Sequence, residues 1–307
     1  MFRSVILIVA ALVATPTFAG QAGSEGILLL AHGGRADWND RVGALATDLG
    51  ARQPVEVAFG MASRPAIQAA VDRLVARGVR SIVAVPLFVS SHSSVVRSTE
   101  YLLGLRTEMP ADLKAFARMN HGAHGNPAGA AHEGHGEASA AVDNTKPVDL
   151  RVPVRMTAAL DRHPIVGAIL EDRARSLSQT PQREAVIIVA HGPVPDGDNE
   201  LWLADMKVLA DRVGRSVAFD AIDYLTVRDD APKPVRDAAT AELRGKVTAH
   251  TSAGRRVLIV PLLLSYGGIE KGIRERLEGL DYVMAAQGLM PDRRLADWVR
   301  QSVNGQQ

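Results

Sequence analysis

The sequence of 307 residues contains no cysteine, which excludes disulfide bridges, thiolate metal sites and a cysteine nucleophile. It also lacks an excess of either charge, because 35 Lys and Arg residues balance 34 Asp and Glu residues to a formal net charge of +1. A nucleic-acid partner is therefore not expected. With 47% hydrophobic residues, the chain is long enough to bury a core without covalent staples, as one large or two medium domains.

An apolar run of the roughly 18 residues needed to cross a bilayer is also lacking at the N-terminus. The first residues instead have the pattern of a secretory signal: Arg3 is positively charged, Val5 to Val13 is apolar, and Thr17 to Ala19 is a small-x-small cleavage site. We expect residues 1–19 to be a signal peptide and the mature protein to be periplasmic or secreted, with no stable membrane insertion. A retained membrane anchor is the alternative.

Two pairs of segments show that the chain repeats itself. GILLLAHG at 26–33 matches AVIIVAHG at 185–192, and SIVAVPLFVS at 81–90 matches RVLIVPLLLS at 256–265, in the same order. Short apolar runs of this kind are typical of strands buried on both faces of a parallel sheet. Helical periodicity between them, clearest from Arg64 to Arg77, predicts a βαβαβαβα order in each half.

The predicted fold is therefore α/β, with two duplicated lobes and a cleft between them. Each lobe is expected to be a parallel sheet with helices on both faces. We place the N-terminal lobe at residues 20–180 and the C-terminal lobe at residues 181–307. A duplicated chain can supply both sides of the cleft by itself, so we expect a monomer.

One segment of the first half, residues 119–147, has no counterpart in the second half. It is rich in glycine, alanine and polar residues, which predicts a mobile surface loop. The segment carries His121, His124, His132 and His135, and histidines in a flexible chain suit loose capture of nickel, cobalt, zinc or copper. The alternative is a linker whose histidines have no role.

Two histidines follow predicted central strands. His32 stands before Gly33, and His92 comes just after the strand that contains Pro86. Because the carboxyl ends of parallel strands meet at one edge of a sheet, both imidazoles should open on the same edge. Neutral imidazole accepts protons near neutral pH and binds divalent transition metals. For either residue alone, a histidine that merely terminates a strand remains the alternative.

Together, the Ala-His32-Gly turn, the Val85-Pro86-Leu-Phe-Val strand with its nearby histidine and the internal repeat resemble the sirohydrochlorin and cobalt-precorrin chelatases. These are the class II chelatases, which need no ATP. The resemblance implies a cleft that binds a tetrapyrrole, with His32 taking pyrrole protons and holding the incoming metal ion and His92 as its partner. The substrate metal would be Co²⁺, Fe²⁺ or Ni²⁺, and no organic cofactor is expected.

Substrates of this family carry many carboxylates, for which Arg35, Arg64 and Arg97 are candidate partners. Each of the three has an alternative interpretation as an ordinary solvated arginine. His163, which precedes Pro164, either faces the cleft or serves as a structural turn residue.

The second half of the chain departs from the family pattern. His191 is retained, but Ser265 to Lys271 offers only Glu270 where the second histidine would fall, so we assign the activity to the N-terminal half. The acidic residues Asp196, Asp198 and Glu200 are expected to cap a helix that begins near Asn199, although a cation site is the alternative.

Three functions remain in competition. The first is a metal-inserting enzyme, and the second is an exported protein that binds metal or tetrapyrrole on a chelatase fold without turnover, which the secretory signal favours. The third is a histidine-dependent phosphoryl hydrolase. That chemistry usually has arginine before the histidine, whereas Ala31 and Ala190 stand there.

Overall fold

The computed structural model describes residues 24–118 and 143–306. Strands and helices alternate through both halves. The strands are β1 (Glu25–Ala31), β2 (Val55–Phe59), β3 (Ser81–Leu87), β4 (Val154–Met156), β5 (Glu184–Ala190), β6 (Ala221–Thr226), β7 (Arg256–Leu262) and β8 (Val283–Met284). The helices are α1 (Ala36–Gly50), α2 (Arg64–Ala76), α3 (Ser94–Leu102), α4 (Leu113–Phe116), α5 (Pro164–Leu177), α6 (Asp196–Ser216), α7 (Lys233–Ser252), α8 (Ile269–Arg276) and α9 (Arg294–Val303).

The strands form two parallel four-stranded sheets of the same order, β2-β1-β3-β4 and β6-β5-β7-β8. The register repeats as well, because Ala31 pairs with Leu87 in the first sheet and Ala190 pairs with Leu262 in the second. The prediction of a duplicated α/β fold is therefore confirmed. The loops that follow β1 and β3 carry His32 and His92 and leave the same edge of the N-terminal sheet.

Successive residues of the central strands serve different hydrophobic cores, because side chains alternate between the two faces of a sheet. In β1, Ile27 and Leu29 pack into one core that contains residues of both lobes, while Leu28 and Leu30 pack into a core of the N-terminal lobe. The strand β5 repeats this division with the shared core and a core of the C-terminal lobe. The two sheets therefore bury their inner faces together.

The last helix of each half packs on the other half. Helix α5 contacts α6 and β7 of the C-terminal lobe, and α9 contacts α1 and β3 of the N-terminal lobe. Trp298 of α9 is 1% exposed and lies in the shared core. This exchange of helices means that apolar packing, and not only the connecting chain, joins the lobes.

Two predicted features lie outside the described residues: the signal peptide at residues 1–19 and the four histidines of the predicted insert. The end of that insert is described from residue 143. There Thr145 donates two hydrogen bonds to the Asp143 carboxylate, at 3.0 and 2.6 Å, and Arg64 Nε donates to the Lys146 carbonyl at 2.9 Å. Across the two described ranges, no helix combines the length and apolarity needed to cross a bilayer.

Candidate functional site

His32 lies directly after β1, in a turn that only a flexible backbone can form. Gly33 has φ +79°, a left-handed conformation that glycine adopts without steric cost. Asn39 fixes the next residue, since its Oδ1 accepts from Gly34 N at 2.9 Å and its Nδ2 donates to Gly34 O at 3.2 Å. Sequence reasoning missed this role of Asn39. These two hydrogen bonds hold the turn in place. The His32 side chain beside it is exposed.

The tautomer of the neutral His32 ring follows from its neighbour. His32 Nδ1 lies 2.6 Å from the Gly33 carbonyl oxygen, and a carbonyl can only accept, so Nδ1 carries the hydrogen. In the neutral imidazole, Nε2 then keeps its lone pair. His32 therefore presents an exposed nitrogen that can accept a proton or bind a metal ion.

His92 lies in the loop between β3 and α3, and the backbone of this loop is fixed at several points. The His92 N–H donates to Ser90 Oγ at 3.0 Å, and the His92 carbonyl accepts from Trp202 Nε1 at 2.7 Å. Ser93 caps α3 by accepting from Val96 N. Because Trp202 belongs to α6, the C-terminal lobe holds the main chain of a candidate site residue in the N-terminal lobe.

A second residue of α6, Asp205, faces the His92 imidazole. His92 Nε2 lies 3.7 Å from Asp205 Oδ2, and Arg162 Nη1 lies 3.7 Å from the other oxygen, Oδ1. Asp205 is only 9% exposed. Burial raises its pKa, and the negative charge of Asp161 adds to this, whereas His92 and Arg162 act in the opposite direction. Sequence reasoning missed Asp205, since nothing in an amphipathic helix distinguishes one aspartate that faces inward.

Asp161 supports this part of the site through Ser91. The Asp161 carboxylate accepts from Ser91 N at 2.6 Å and from Ser91 Oγ at 2.7 Å, and Ser91 Oγ accepts from Ala159 N at 2.8 Å. Asp161 has φ +42°, an uncommon conformation for a residue other than glycine. These bonds tie the loop after β3 to the loop after β4, next to His92.

The three candidate arginines occupy different environments. The Arg35 side chain is 82% exposed, and its nearest carboxylate, Asp37, is 3.9 Å away. Arg64 at the start of α2 donates a hydrogen bond to the carbonyl of Lys146, near the C-terminal end of the insert. Arg97 forms a bidentate ion pair across the lobes with Asp198, at 3.0 and 2.7 Å, and these hydrogen bonds raise the pKa of Arg97. Of the three, Arg35 is the most accessible to a ligand.

The second half carries a similar turn with different partners. Gly192 has φ +77°, and a Cβ there would lie 2.4 Å from Thr226 Cβ, so only glycine fits after His191. His191 Nε2 lies 3.4 Å from Asp230 Oδ2, a residue of the same lobe. Glu270 accepts backbone hydrogen bonds from Gly267 and Gly268. This carboxylate thus has a structural use in its own loop.

Two expectations about helix starts are resolved by the structure. Helix α6 begins at Asp196, three residues before the predicted Asn199, and Pro195 is its N-cap. His163 is the N-cap of α5, with its Nδ1 accepting from Ile165 N at 3.2 Å, and burial lowers its pKa. Of the two interpretations of His163, the structural turn residue fits these contacts.

Two hollows in the surface lie elsewhere. One of about 830 Å³ lies beside β4, and one of about 500 Å³ lies between α6, β6 and α7. Neither lining includes His32 or His92, although the first includes Ser91, the neighbour of His92. Within residues 24–118 and 143–306, no three His, Asp or Glu side chains converge as a metal cluster. In these ranges His32, His92 and Asp205 therefore do not form a closed cluster of ligands.

Comparison with known proteins shows which family the N-terminal lobe matches. Residues 26–177, which run from β1 to the end of α5 and include both candidate histidines, match the family model CbiX. The N-terminal lobe, which this match spans, belongs to the CbiX family. A sirohydrochlorin cobaltochelatase of Methanothermobacter thermautotrophicus is 34% identical over 83 residues, which are 26% of this chain and 58% of that relative. This match spans less than two thirds of the relative's length.

Solved structures extend the similarity in fold to both lobes of the chain. SirB from Bacillus subtilis with Fe³⁺ is 16% identical, with 92% of this chain and 98% of SirB covered at a TM-score of 0.59. The sirohydrochlorin chelatase SirB from Bacillus subtilis subspecies spizizenii, in complex with cobalt, is 13% identical, with 92% and 96% covered at 0.56. The multi-domain protein DR2241 from Deinococcus radiodurans is 15% identical, with 93% and 56% covered at 0.51. At these identities the likeness concerns the fold alone.

Proposed function

We propose that this protein inserts a divalent metal ion, Co²⁺, Fe²⁺ or Ni²⁺, into a tetrapyrrole of the sirohydrochlorin type without ATP. The observation that carries the proposal is the placement of His32 and His92 after two neighbouring strands of the CbiX-family lobe. The sirohydrochlorin cobaltochelatase activity of the relative from Methanothermobacter supports the choice of substrate. The metal ion and the tetrapyrrole are both substrates, and the chain needs no organic cofactor for the reaction.

The reaction replaces two pyrrolic protons of the tetrapyrrole with one divalent ion, so two protons must leave the macrocycle for each ion that enters. His32 Nε2 is a suitable acceptor, because the hydrogen bond at Nδ1 leaves it unprotonated in the neutral ring. Exposure of the ring lets it pass each proton on to solvent. His92, together with His32 before the proton transfer, holds the incoming ion until pyrrole nitrogens replace its ligands. An open site suits this transfer, since a closed cage of four ligands would retain the ion.

The carboxylates of the tetrapyrrole need cationic partners at the edge of the cleft. Arg35 is free to turn towards a ligand because its side chain is 82% exposed. Arg64 and Arg97 can contribute only by sharing or releasing their present acceptors, Lys146 and Asp198. We assign Arg35 the primary contact and the other two a secondary one.

Visible absorbance tests the proposal directly. The mature chain from Gly20 is mixed with sirohydrochlorin and Co²⁺, and the rate of spectral conversion is compared with that of a control without protein. We expect faster conversion that His32→Ala reduces by about 100-fold or more, the usual contribution of a positioned acid or base. His191→Ala is the matched control, because it removes the corresponding histidine of the other lobe and should leave the rate unchanged. Equal rates for wild type and His32→Ala would refute the assigned mechanism.

An exported carrier of metal or tetrapyrrole is the second candidate function, and the secretory pattern of residues 1–19 favours it. Cytoplasmic biosynthesis is the expected setting for sirohydrochlorin metalation, so an exported relative can have retained the fold and lost turnover. In the absorbance experiment, such a carrier would bind its ligand without accelerating conversion. The intact mass of protein recovered from the periplasm would test export, with a chain that begins near Gly20 expected.

The histidines of the predicted insert have a supporting role in either function. We propose that His121, His124, His132 and His135 capture metal ions and raise their concentration near the cleft. Replacing all four with alanine should reduce the number of Co²⁺ ions bound per chain, while conversion of preloaded protein in a single turnover should not change.

A further inference from the structure

Asp205 is a buried carboxylate whose inner oxygen has no bonding partner. The residue is 9% exposed, and in the described part of the chain Oδ2 is buried without a hydrogen bond. Burying a charged carboxylate oxygen without a hydrogen bond costs free energy, because no protein group replaces the water that would otherwise solvate it. Arg162 offsets only part of the cost, since it faces Oδ1 and its own side chain is 66% exposed to screening solvent.

The nearest basic atom to Oδ2 is His92 Nε2, at 3.7 Å. This distance is too long for a hydrogen bond between the two groups. It suits a shared metal ion, because nitrogen and oxygen ligands each about 2.1 Å from one ion lie about 3.4 Å apart at a tetrahedral angle and about 3.6 Å apart at 120°. Imidazole nitrogen with carboxylate oxygen is also a donor set that divalent first-row ions accept.

We infer that Asp205 of the C-terminal lobe is a metal ligand that acts together with His92 of the N-terminal lobe. The inference rests on the proposed function for the identity of the ion, a divalent first-row metal, and adds a ligand from the lobe outside the CbiX match. Asp161 lies close, but each of its oxygens accepts a hydrogen bond from Ser91, and we assign it a positioning role instead of a ligand role. This pair leaves the remaining coordination positions to His32, to water or to the incoming pyrrole nitrogens.

Helix α6 positions this pair through two contacts with one residue. Trp202 and Asp205 are three residues apart and so share a face of the helix. Trp202 holds the His92 carbonyl at 2.7 Å, and Asp205 faces the His92 ring. The distance between the two ligands is therefore set by docking of α6 against the loop after β3. This gives the C-terminal lobe a part in the site although its own second histidine is missing.

Direct metal binding tests the inference without tetrapyrrole. The full-length mature chain carries alanine at His121, His124, His132 and His135, so that the insert does not contribute, and Co²⁺ affinity is measured by competition with a fluorescent chelator. We expect Asp205→Asn and His92→Ala each to raise Kd by about tenfold or more. The double variant should be little weaker than either single one, because both residues hold the same ion. Asp211→Asn, a change on the exposed face of the same helix, is the control and should leave Kd unchanged.

Two results would overturn the inference. The first is a Kd for Co²⁺ in Asp205→Asn that equals that of its parent chain. The second is a loss of Co²⁺ affinity in the double variant that equals the sum of the losses in the two single variants. Far-ultraviolet circular dichroism of each variant excludes unfolding as the cause of a loss. The outcome is separate from that of the proposed function. Coupled Co²⁺ binding without accelerated insertion would retain the site and reject the enzyme, whereas accelerated insertion by a chain whose Kd for Co²⁺ does not depend on Asp205 would retain the enzyme and reject the ligand.

Discussion

Individual residues at the candidate site are fixed mainly by hydrogen bonds to the backbone. Gly33 O sets the tautomer of His32, and Trp202 Nε1 holds the carbonyl of His92. A metal-inserting site needs this combination, because the ligands must be held in place while the coordination sphere stays open. Both histidines were predicted from sequence, whereas Trp202, which fixes the backbone of His92, belongs to no recognisable motif.

The ion pair between Arg97 and Asp198 has a testable consequence for substrate binding. If Arg97 binds a tetrapyrrole carboxylate, Asp198 competes for the same guanidinium. Asp198→Asn should then lower KM by roughly fivefold, since a partly exposed pair contributes about 1 kcal/mol, and kcat should not change. Steady-state rates at varied tetrapyrrole concentration measure this, with Arg97→Ala expected to raise KM. A higher KM in Asp198→Asn would mean that the pair supports the cleft instead of competing with substrate.

Helix α5 begins at a titratable N-cap residue, His163. His163 caps α5 by accepting from Ile165 N, which requires an unprotonated Nδ1. Helix α5 crosses to the C-terminal lobe, so this cap lies at a junction between the lobes. The element is thus stabilised by a titratable group that has no place in the proposed chemistry.

The lowered pKa of His163 predicts a pH dependence of stability. Burial holds the folded pKa below the ordinary value of 6.5, so the unfolded chain binds the proton more readily. The resulting stability is present above about pH 6.5 and is lost as the pH falls through the folded pKa. Urea titrations should therefore show that the free energy of unfolding falls less between pH 7.5 and pH 5 in His163→Asn than in the wild type. Asparagine keeps a capping side chain but does not titrate. An equal fall in the free energy of unfolding in wild type and variant would contradict the assignment of this pH dependence to His163.

The molecule as a whole is joined by its shared core. Inner-face residues of both sheets and of α1, α5, α6 and α9 belong to one hydrophobic cluster. The Asp205 and His92 pair depends on this packing, because its two members come from different lobes. Stability of the fold and assembly of the site are therefore linked.

Truncation in the shared core should affect both lobes at once. Trp298→Ala removes a side chain that is 1% exposed and should lower the free energy of unfolding by about 3–5 kcal/mol. Chemical denaturation followed by circular dichroism should still show one transition. Two separated transitions in the variant, with only one of them shifted, would show that the lobes unfold independently.

The prediction of a monomer also belongs to this scale. One chain contains both lobes and both members of the proposed ligand pair, so no second copy is needed to complete the site. Light scattering of the mature chain at micromolar concentration should give the mass of one chain. A stable dimer at that concentration would contradict this expectation.

The sequence alone determined the α/β class, the duplication and the two histidines, because strand burial and strand ends leave local patterns such as GILLLAHG. It also singled out His163 before Pro164, although it left the role of that residue open. Only the tertiary structure revealed Asp205, Asn39 and the pairing of Arg97 with Asp198, and it moved the start of α6 to Asp196. These depend on which face of a helix meets another lobe, and such contacts between residues far apart in the chain follow from packing and leave no periodic trace in the sequence.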